Sequence, residues 1–277
     1  MTHAFSVDVE DWYQVSDFEE LVPFAAWHRY ERRVLANTER VLALLDDRGV
    51  KATFFILSWN AERHPELVRR IAEAGHEIAS HGYGHGLAYE LGEQAFRNDV
   101  ERSKKLLEDL TGTPVLGYRA PSFSITKRSL WALDVLMDLG FRYDSSVFPV
   151  QDRLYGIPGA ERFPFPIVRD GRTLTEVPIS TVRWGGRTLP LGGGAYLRLL
   201  PYVYTRWGVR RVAQEGKPAI IYVHPWELDP DQPRLRVRGK RGISTHYYRL
   251  HTTEAKLRRL LREFPFAPVA SVLGLAA

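Results

Sequence analysis

A chain of 277 residues with 44% hydrophobic and 26% charged side chains has the balance of an ordinary globular protein, which excludes the disordered and fibrous classes. It contains no cysteine, so disulfides, thiolate metal sites and thiol nucleophiles are ruled out and any metal must be held by His, Asp or Glu. The formal charge of +5 comes from scattered arginines that thicken only from Arg234 to Arg241; that run carries no nucleic-acid-binding motif, so no nucleic-acid partner is expected.

The first residues lack the basic and apolar stretches of a signal peptide, and no later segment approaches eighteen apolar residues. The expectation is a cytoplasmic protein without a transmembrane segment. Ala4 to Val9 reads as a buried strand that stops at the acidic cluster Asp8, Glu10, Asp11. Val34 to Asp47 carries Val34, Leu35, Val41, Leu42 and Leu45 at helical spacing, and Ala52 to Ile56 follows as a second strand. Pro65 opens a helix that ends at Gly75, Glu77 to Ala79 is a brief strand, and Glu93 to Thr111 is a long amphipathic helix closed by Gly112. Val115 to Tyr118, Lys127 to Leu139 and Phe141 to Tyr143 repeat strand, helix, strand.

This alternation predicts an α/β fold with a mainly parallel sheet, open or closed into a barrel. Beyond Ser146 the pattern loosens into Pro, Gly and Arg clusters with an extended stretch at Leu174 to Pro178, read as a loop-rich insertion. Helix Pro201 to Gln214, strand Ala219 to Val223, helix Thr252 to Phe264 and a final strand near Pro268 to Val272 resume the alternation. A single domain over 1–277 is expected, with core motifs in 1–150 and the insertion plus closing elements in 151–277.

The polar candidates follow the predicted strands, the edge where α/β folds assemble their sites. His81 and His85 are spaced so that both rings can face one ion, and the acidic triplet supplies an oxygen ligand. Two histidines and one carboxylate leave positions open for water and substrate. His224, flanked by Pro225 and Trp226, is either a partly buried structural residue or a proton donor walled by an aromatic ring. Arg119 either makes a surface ion pair or orients a catalytic carboxylate. Gly192 to Gly194 lacks a following P-loop lysine, so nucleotide binding is discounted. Trp12, Tyr13, Trp184, Tyr196 and Trp226 are candidate sugar-stacking surfaces.

Ser6-Val-Asp-Val-Glu-Asp-Trp12, Ala52-Thr-Phe-Phe-Ile56, His81-Gly-Tyr-Gly-His85, Arg119-Ala-Pro121 and Tyr222-Val-His-Pro-Trp226 occur in the order of the motifs of the polysaccharide deacetylase family, carbohydrate esterase family four, which the chain resembles nearly end to end. The segments Gly192 to Pro201 and His224 to Pro233 resemble a subfamily found with bacterial exopolysaccharide and exosortase loci. The resemblance implies a distorted, incomplete (β/α) barrel, seven-stranded and TIM-like, a divalent metal, commonly zinc, and hydrolysis of N-acetyl groups on an N-acetylated polysaccharide or oligosaccharide. It implies Asp8 as general base, His224 as general acid, Arg119 as the holder of Asp8, and His81 and His85 as metal ligands. Pro121 falls among its substrate-contacting positions. The family's adjacent aspartates are separated here, so the third ligand is Glu10 or, alternatively, Asp11. The family's hydroxyl residue of the histidine motif is Gly82. Two other readings stay open: an amidohydrolase for a small cyclic amide or ureide, and a catalytically silent carbohydrate-binding protein.

Overall fold

The computed structural model describes residues 1–150, 152, 155–235 and 245–275. The basic run from Arg234 to Arg241 therefore lies outside the described residues apart from Arg234 and Leu235. The strands are β1 (His3–Val9), β2 (Thr53–Ile56), β3 (Glu77–Ser80), β4 (Gly117–Tyr118), β5 (Tyr143–Asp144), β6 (Phe165–Arg169), β7 (Arg172–Glu176), β8 (Thr181–Trp184), β9 (Arg187–Pro190), β10 (Ile220–Val223) and β11 (Phe266–Ala267). The principal helices are α1 (Val34–Asp46), α2 (Pro65–Glu73), α3 (Glu93–Thr111), α4 (Ala132–Asp138), α5 (Gly194–Leu199), α6 (Tyr202–Gln214), α7 (Thr253–Glu263) and α8 (Val269–Val272). None of the described helices is long and apolar enough to cross a membrane.

Seven strands run parallel in the order β10-β1-β2-β3-β4-β5-β7, the two-residue β11 pairs parallel with the start of β1, and β6 lies antiparallel on the outer side of β7. Among the described residues the ladder does not close into a barrel. The gap between β7 and β10 is spanned by isolated bonds: Ser180 N donates to Ile220 O at 3.4 Å, and Tyr222 N donates to Gly192 O at 2.9 Å. The expected seven-stranded, incomplete α/β ring is thus present, with its opening in the segment read as an insertion.

Burial follows the predicted periodicity. Val34, Val41, Leu42 and Leu45 of α1 and Phe96, Val100 and Leu107 of α3 are buried in one continuous core with β1 and β2. Side chains of this size each contribute about 1.5–3 kcal/mol when withdrawn from water.

Two expectations fail locally. Pro268 to Val272 is not a strand: β11 covers only Phe266 and Ala267, because β2 takes over the pairing of β1 from Ser6 onward. The chain turns into α8 instead, whose first N–H groups donate to Thr53 Oγ1 (2.7 Å) and to the half-buried Glu77 Oε2 (3.1 Å). Helix Lys127 to Leu139 becomes regular only at Ala132, since Ser129 Oγ takes the Thr126 N–H and donates to Ser124 O, a local alternative to helical pairing. The segment beyond Ser146, whose extended stretch at Leu174 to Pro178 begins in β7, contains the β6–β7 and β8–β9 hairpins, the latter turned by Gly185 and Gly186 at φ +54° and +75°.

Candidate active site

Parallel strands deliver their C-terminal ends to one rim, and one cleft there is lined by Asp8, Glu10, His81, His85, Ala120, Phe123, Tyr222 and His224. β1 places Asp8 and Glu10, β3 places His81, β4 places Arg119, and β10 places His224. The backbone is strained around this cleft: His85, Ser122 and Phe123 adopt φ of +58°, +49° and +52°, a region that side chains other than glycine rarely enter.

Glu10, His81 and His85 bring one ligand atom each to within 4.8 Å of one another. His81 Nδ1–H donates to Arg119 O at 2.7 Å, which turns Nε2 toward Glu10 Oε1, 2.8 Å away. His85 Nε2 lies 3.0 Å from the same oxygen. Two imidazoles and a carboxylate converging on one buried point form a donor set that suits a divalent ion. Burial by itself would raise the Glu10 carboxyl; the imidazoles of His85 and His224 and the bonds from His81 and His85 hold it well below the usual carboxylate range.

Asp11 is turned away from this group. Its carboxylate accepts the backbone N–H groups of Trp12 (2.9 Å), Arg33 (2.8 Å) and Val34 (3.1 Å) and so caps the start of α1. The structure therefore offers Glu10, not Asp11, as the third ligand: the turn after β1 sends the two side chains to opposite tasks.

Asp8 Oδ1 accepts from Arg119 Nη1 at 2.6 Å. Arg119 is completely buried, so it is no surface ion pair. Its guanidinium also donates to Ser6 Oγ (2.9 Å), Ser145 O (3.2 Å) and Ser145 Oγ (3.0 Å), and stands 4.0 Å over the Phe55 ring. Such a saturated, planar fork fixes the neighbouring carboxylate in position.

His224 is partly buried with Nε2 3.8 Å from Glu10 Oε2 and Nδ1 3.4 Å from Glu227 Oε2. Burial opposes its protonation, but the carboxylates of Glu10, Glu227 and Asp8 raise its pKa to about 9. Glu227 is buried, accepts from Arg198 Nε at 2.9 Å and from His224 N at 3.0 Å, and is held down at about 2, against its burial, by Arg198 and His224. Neither Glu227 nor Arg198 is singled out by the sequence reading. Their signal is the close backbone: a Cβ on Gly194 would sit 1.7 Å from Glu227 Oε2, so the third glycine of the run makes room for this carboxylate.

Asp99 on α3 is the other residue missed. It accepts from the N–H groups of Tyr83 (2.7 Å) and Gly84 (3.1 Å) and so anchors the loop between the two histidines. A Cβ on Gly82 would approach its Oδ2 to 2.7 Å, and Gly82 has φ +74°. A carboxylate arriving from a helix does the fixing that a hydroxyl at position 82 would otherwise do.

Most of the expected stacking surfaces are not surfaces. Trp12 and Tyr13 are buried in an aromatic cluster with Phe18 and Trp27, and Trp12 Nε1 donates to Glu31 O. Trp226 is buried between His224 (ring centroids 5.1 Å) and His246 (4.0 Å). Pro121 is buried beside the cleft. Tyr196 is half-buried, its hydroxyl 3.3 Å from that of Tyr155, which does line the cleft. Trp184 is exposed at a different groove. The rings of Trp12, Tyr13 and Trp226 are spent on packing near the rim.

Comparison with known proteins adds to this geometry. Residues 30–143 match the polysaccharide deacetylase family model, and residues 145–274 match a domain of unknown function (DUF3473). Residues 30–143 are thus similar to a polysaccharide deacetylase domain. His81, His85 and Arg119 lie inside the match to this deacetylase domain, Asp8 and Glu10 precede it, and His224 falls in the second matched segment. A peptidoglycan-N-acetylglucosamine deacetylase of Bacillus cereus is 37% identical over 101 residues, 36% of this chain and 37% of its own. A peptidoglycan deacetylase of Helicobacter pylori is 31% identical over 108 residues, 39% of this chain and 36% of its own. These alignments span little more than a third of each relative. In fold, a structure described as a polysaccharide deacetylase from Mycobacterium smegmatis aligns with TM-score 0.66 at 21% identity over 98% of this chain and 88% of its own. The allantoinase PuuE aligns with TM-score 0.63 at 17% identity, over 98% of this chain and 88% of its own.

Proposed function

We propose that the protein is a metal-dependent deacetylase that hydrolyses the N-acetyl groups of amino sugars in a bacterial polysaccharide. The observation that carries this reading is the convergence of Glu10, His81 and His85 beside a separately held carboxylate, Asp8, with an imidazole, His224, on the same cleft. A divalent ion held by Glu10, His81 and His85, with zinc the first candidate, would polarise the acetyl oxygen and acidify a water.

The protein's own groups divide the proton traffic. Asp8, fixed by Arg119, takes the proton of the attacking water as its oxygen bonds the acetyl carbon. His224, whose Nδ1 faces the buried Glu227 carboxylate at 3.4 Å, gives a proton to the amine nitrogen as the carbon–nitrogen bond breaks, leaving acetate and a free amine. The cleft volume of about 210 Å³ is smaller than the ~300–1,000 Å³ of sites that enclose a drug-sized ligand whole, which suits one acetamido sugar entering while the rest of the glycan stays outside. The resemblance of the Gly192 to Pro201 and His224 to Pro233 segments to enzymes of exopolysaccharide loci supports an exopolysaccharide as that glycan.

The test is turnover of N-acetylglucosamine oligomers by Asp8→Asn and His224→Ala. Each is expected to fold and to lose about 10²- to 10⁴-fold in rate. Near-normal turnover by either variant overturns the assignment of its role.

A further inference from the structure

A second concave surface stands apart from the cleft and shares no lining residue with it. Between Glu176 and Glu215 the sequence contains no acidic residue but six arginines: Arg183, Arg187, Arg198, Arg206, Arg210 and Arg211. Arg198 is consumed in the interior by Glu227, and Arg206 is paired with Glu263 at 3.0 Å. The other four are exposed and make no ion pair among the described residues.

The β8–β9 hairpin and helix α6 carry these arginines and form between them an apolar groove of about 820 Å³, whose walls include Trp184, Leu189, Val203 and Trp207 with Arg183 and Arg211 at its margin, while Arg210 lines the adjoining hollow. Trp184 is 69% exposed, Val203 67% and Trp207 37%, unusually high values for such large apolar groups. The framework beneath is firm. Tyr204 Oη donates to Pro190 O at 2.7 Å, and Gly208 lets α6 approach so closely that a Cβ there would sit 2.4 Å from Leu191 Cδ1. Val182, Val209 and Val212 bury the underside.

We infer that this groove is a docking surface for an anionic phospholipid bilayer. Indole rings favour the depth of the headgroups, guanidinium groups pair with lipid phosphates, and an apolar floor accepts the upper acyl chain. The unbroken positive sign of the segment provides the charge complementarity. The inference is independent of the deacetylase reading, because none of its residues belongs to the catalytic cleft.

The experiment is flotation of the full chain with vesicles. The protein floats with an equal mixture of phosphatidylcholine and phosphatidylglycerol, stays behind with phosphatidylcholine alone, and is released by added salt. Arg183→Ser combined with Arg210→Ser and Arg211→Ser weakens flotation by roughly a hundredfold, about fivefold for each charge near the surface. Trp184→Ser weakens it by roughly tenfold. Both variants keep the wild-type melting temperature, since the altered side chains are exposed. Absence of flotation, equal flotation with both vesicle types, or an unaffected triple variant overturns the inference. A dimer that Trp184→Ser dissolves and that does not float also overturns it, because a second copy is then the occupant.

Discussion

Residues up to Tyr143 place their chemistry at the ends of regular strands, whereas residues from Ser145 onward place theirs by close approach of irregular backbone. In the first region Asp8 lies among the last paired residues of β1, Glu10, His81 and Arg119 each follow a paired strand, and their partners lie one to three strands away. In the second only His224 follows a strand. Its charge partners Glu227 and Arg198 depend on Gly194 having no side chain and on Arg198 Nη1 donating to the carbonyls of Thr245, His246 and Tyr248. The placing of Glu10 and His81 rests on sheet register, while the surroundings of the His224 imidazole rest on backbone packing.

The largest effect is expected in the first region. Arg119→Leu leaves the buried Asp8 carboxylate without its partner and costs about 3–5 kcal/mol, read from the urea midpoint. A loss under about 1 kcal/mol would mean that the strand-end framework does not depend on this pair. Next comes the second region: Gly194→Ala drives a methyl group into Glu227 and costs about 1–3 kcal/mol, with the rate falling because His224 loses its orienting carboxylate. Unchanged stability with unchanged rate would remove the backbone argument.

The smallest effect lies at the seam. Asp144 and Glu176 face each other across β5 and β7, both fully buried, with Asp144 accepting from Ser146 Oγ at 2.5 Å and Glu176 from Val147 N at 2.9 Å. Burial raises both carboxyls, and Asp144 pushes Glu176 further up, so the pair retains a proton. For acids whose folded pKa is raised, stability is full below the ordinary carboxylate range and is lost as pH rises through the raised values. Glu176→Gln removes the repulsion, so its unfolding free energy should fall less on the alkaline side, by on the order of 1 kcal/mol. Parallel pH profiles for the variant and the wild type would contradict a shared proton.

The same contrast governs what was legible beforehand. Helical spacing in α1 and α3 and the short apolar runs of β1, β2 and β10 marked both the fold class and the rim where Asp8, His81, Arg119 and His224 appear, because burial imposes those patterns directly. Whether Glu10 or Asp11 faces the histidines was not legible, since it depends on one turn after β1 and on Asp11 capping a helix twenty-odd residues later. Asp99 and Glu227 were missed for a related reason: each acts through backbone N–H groups beside a glycine, and a glycine states only that something comes close. The aromatic residues misled because size favours burial, and Trp12, Tyr13 and Trp226 followed that preference instead of facing sugar.

The central claim is tested most directly by acetate release from N-acetylglucosamine oligomers by the protein as purified, after chelation, and after zinc is restored. The account predicts release that chelation abolishes and zinc recovers, with no recovery in His81→Ala. Release that is indifferent to the chelator, or stoichiometric zinc binding without acetate from any N-acetylated glycan, would contradict it.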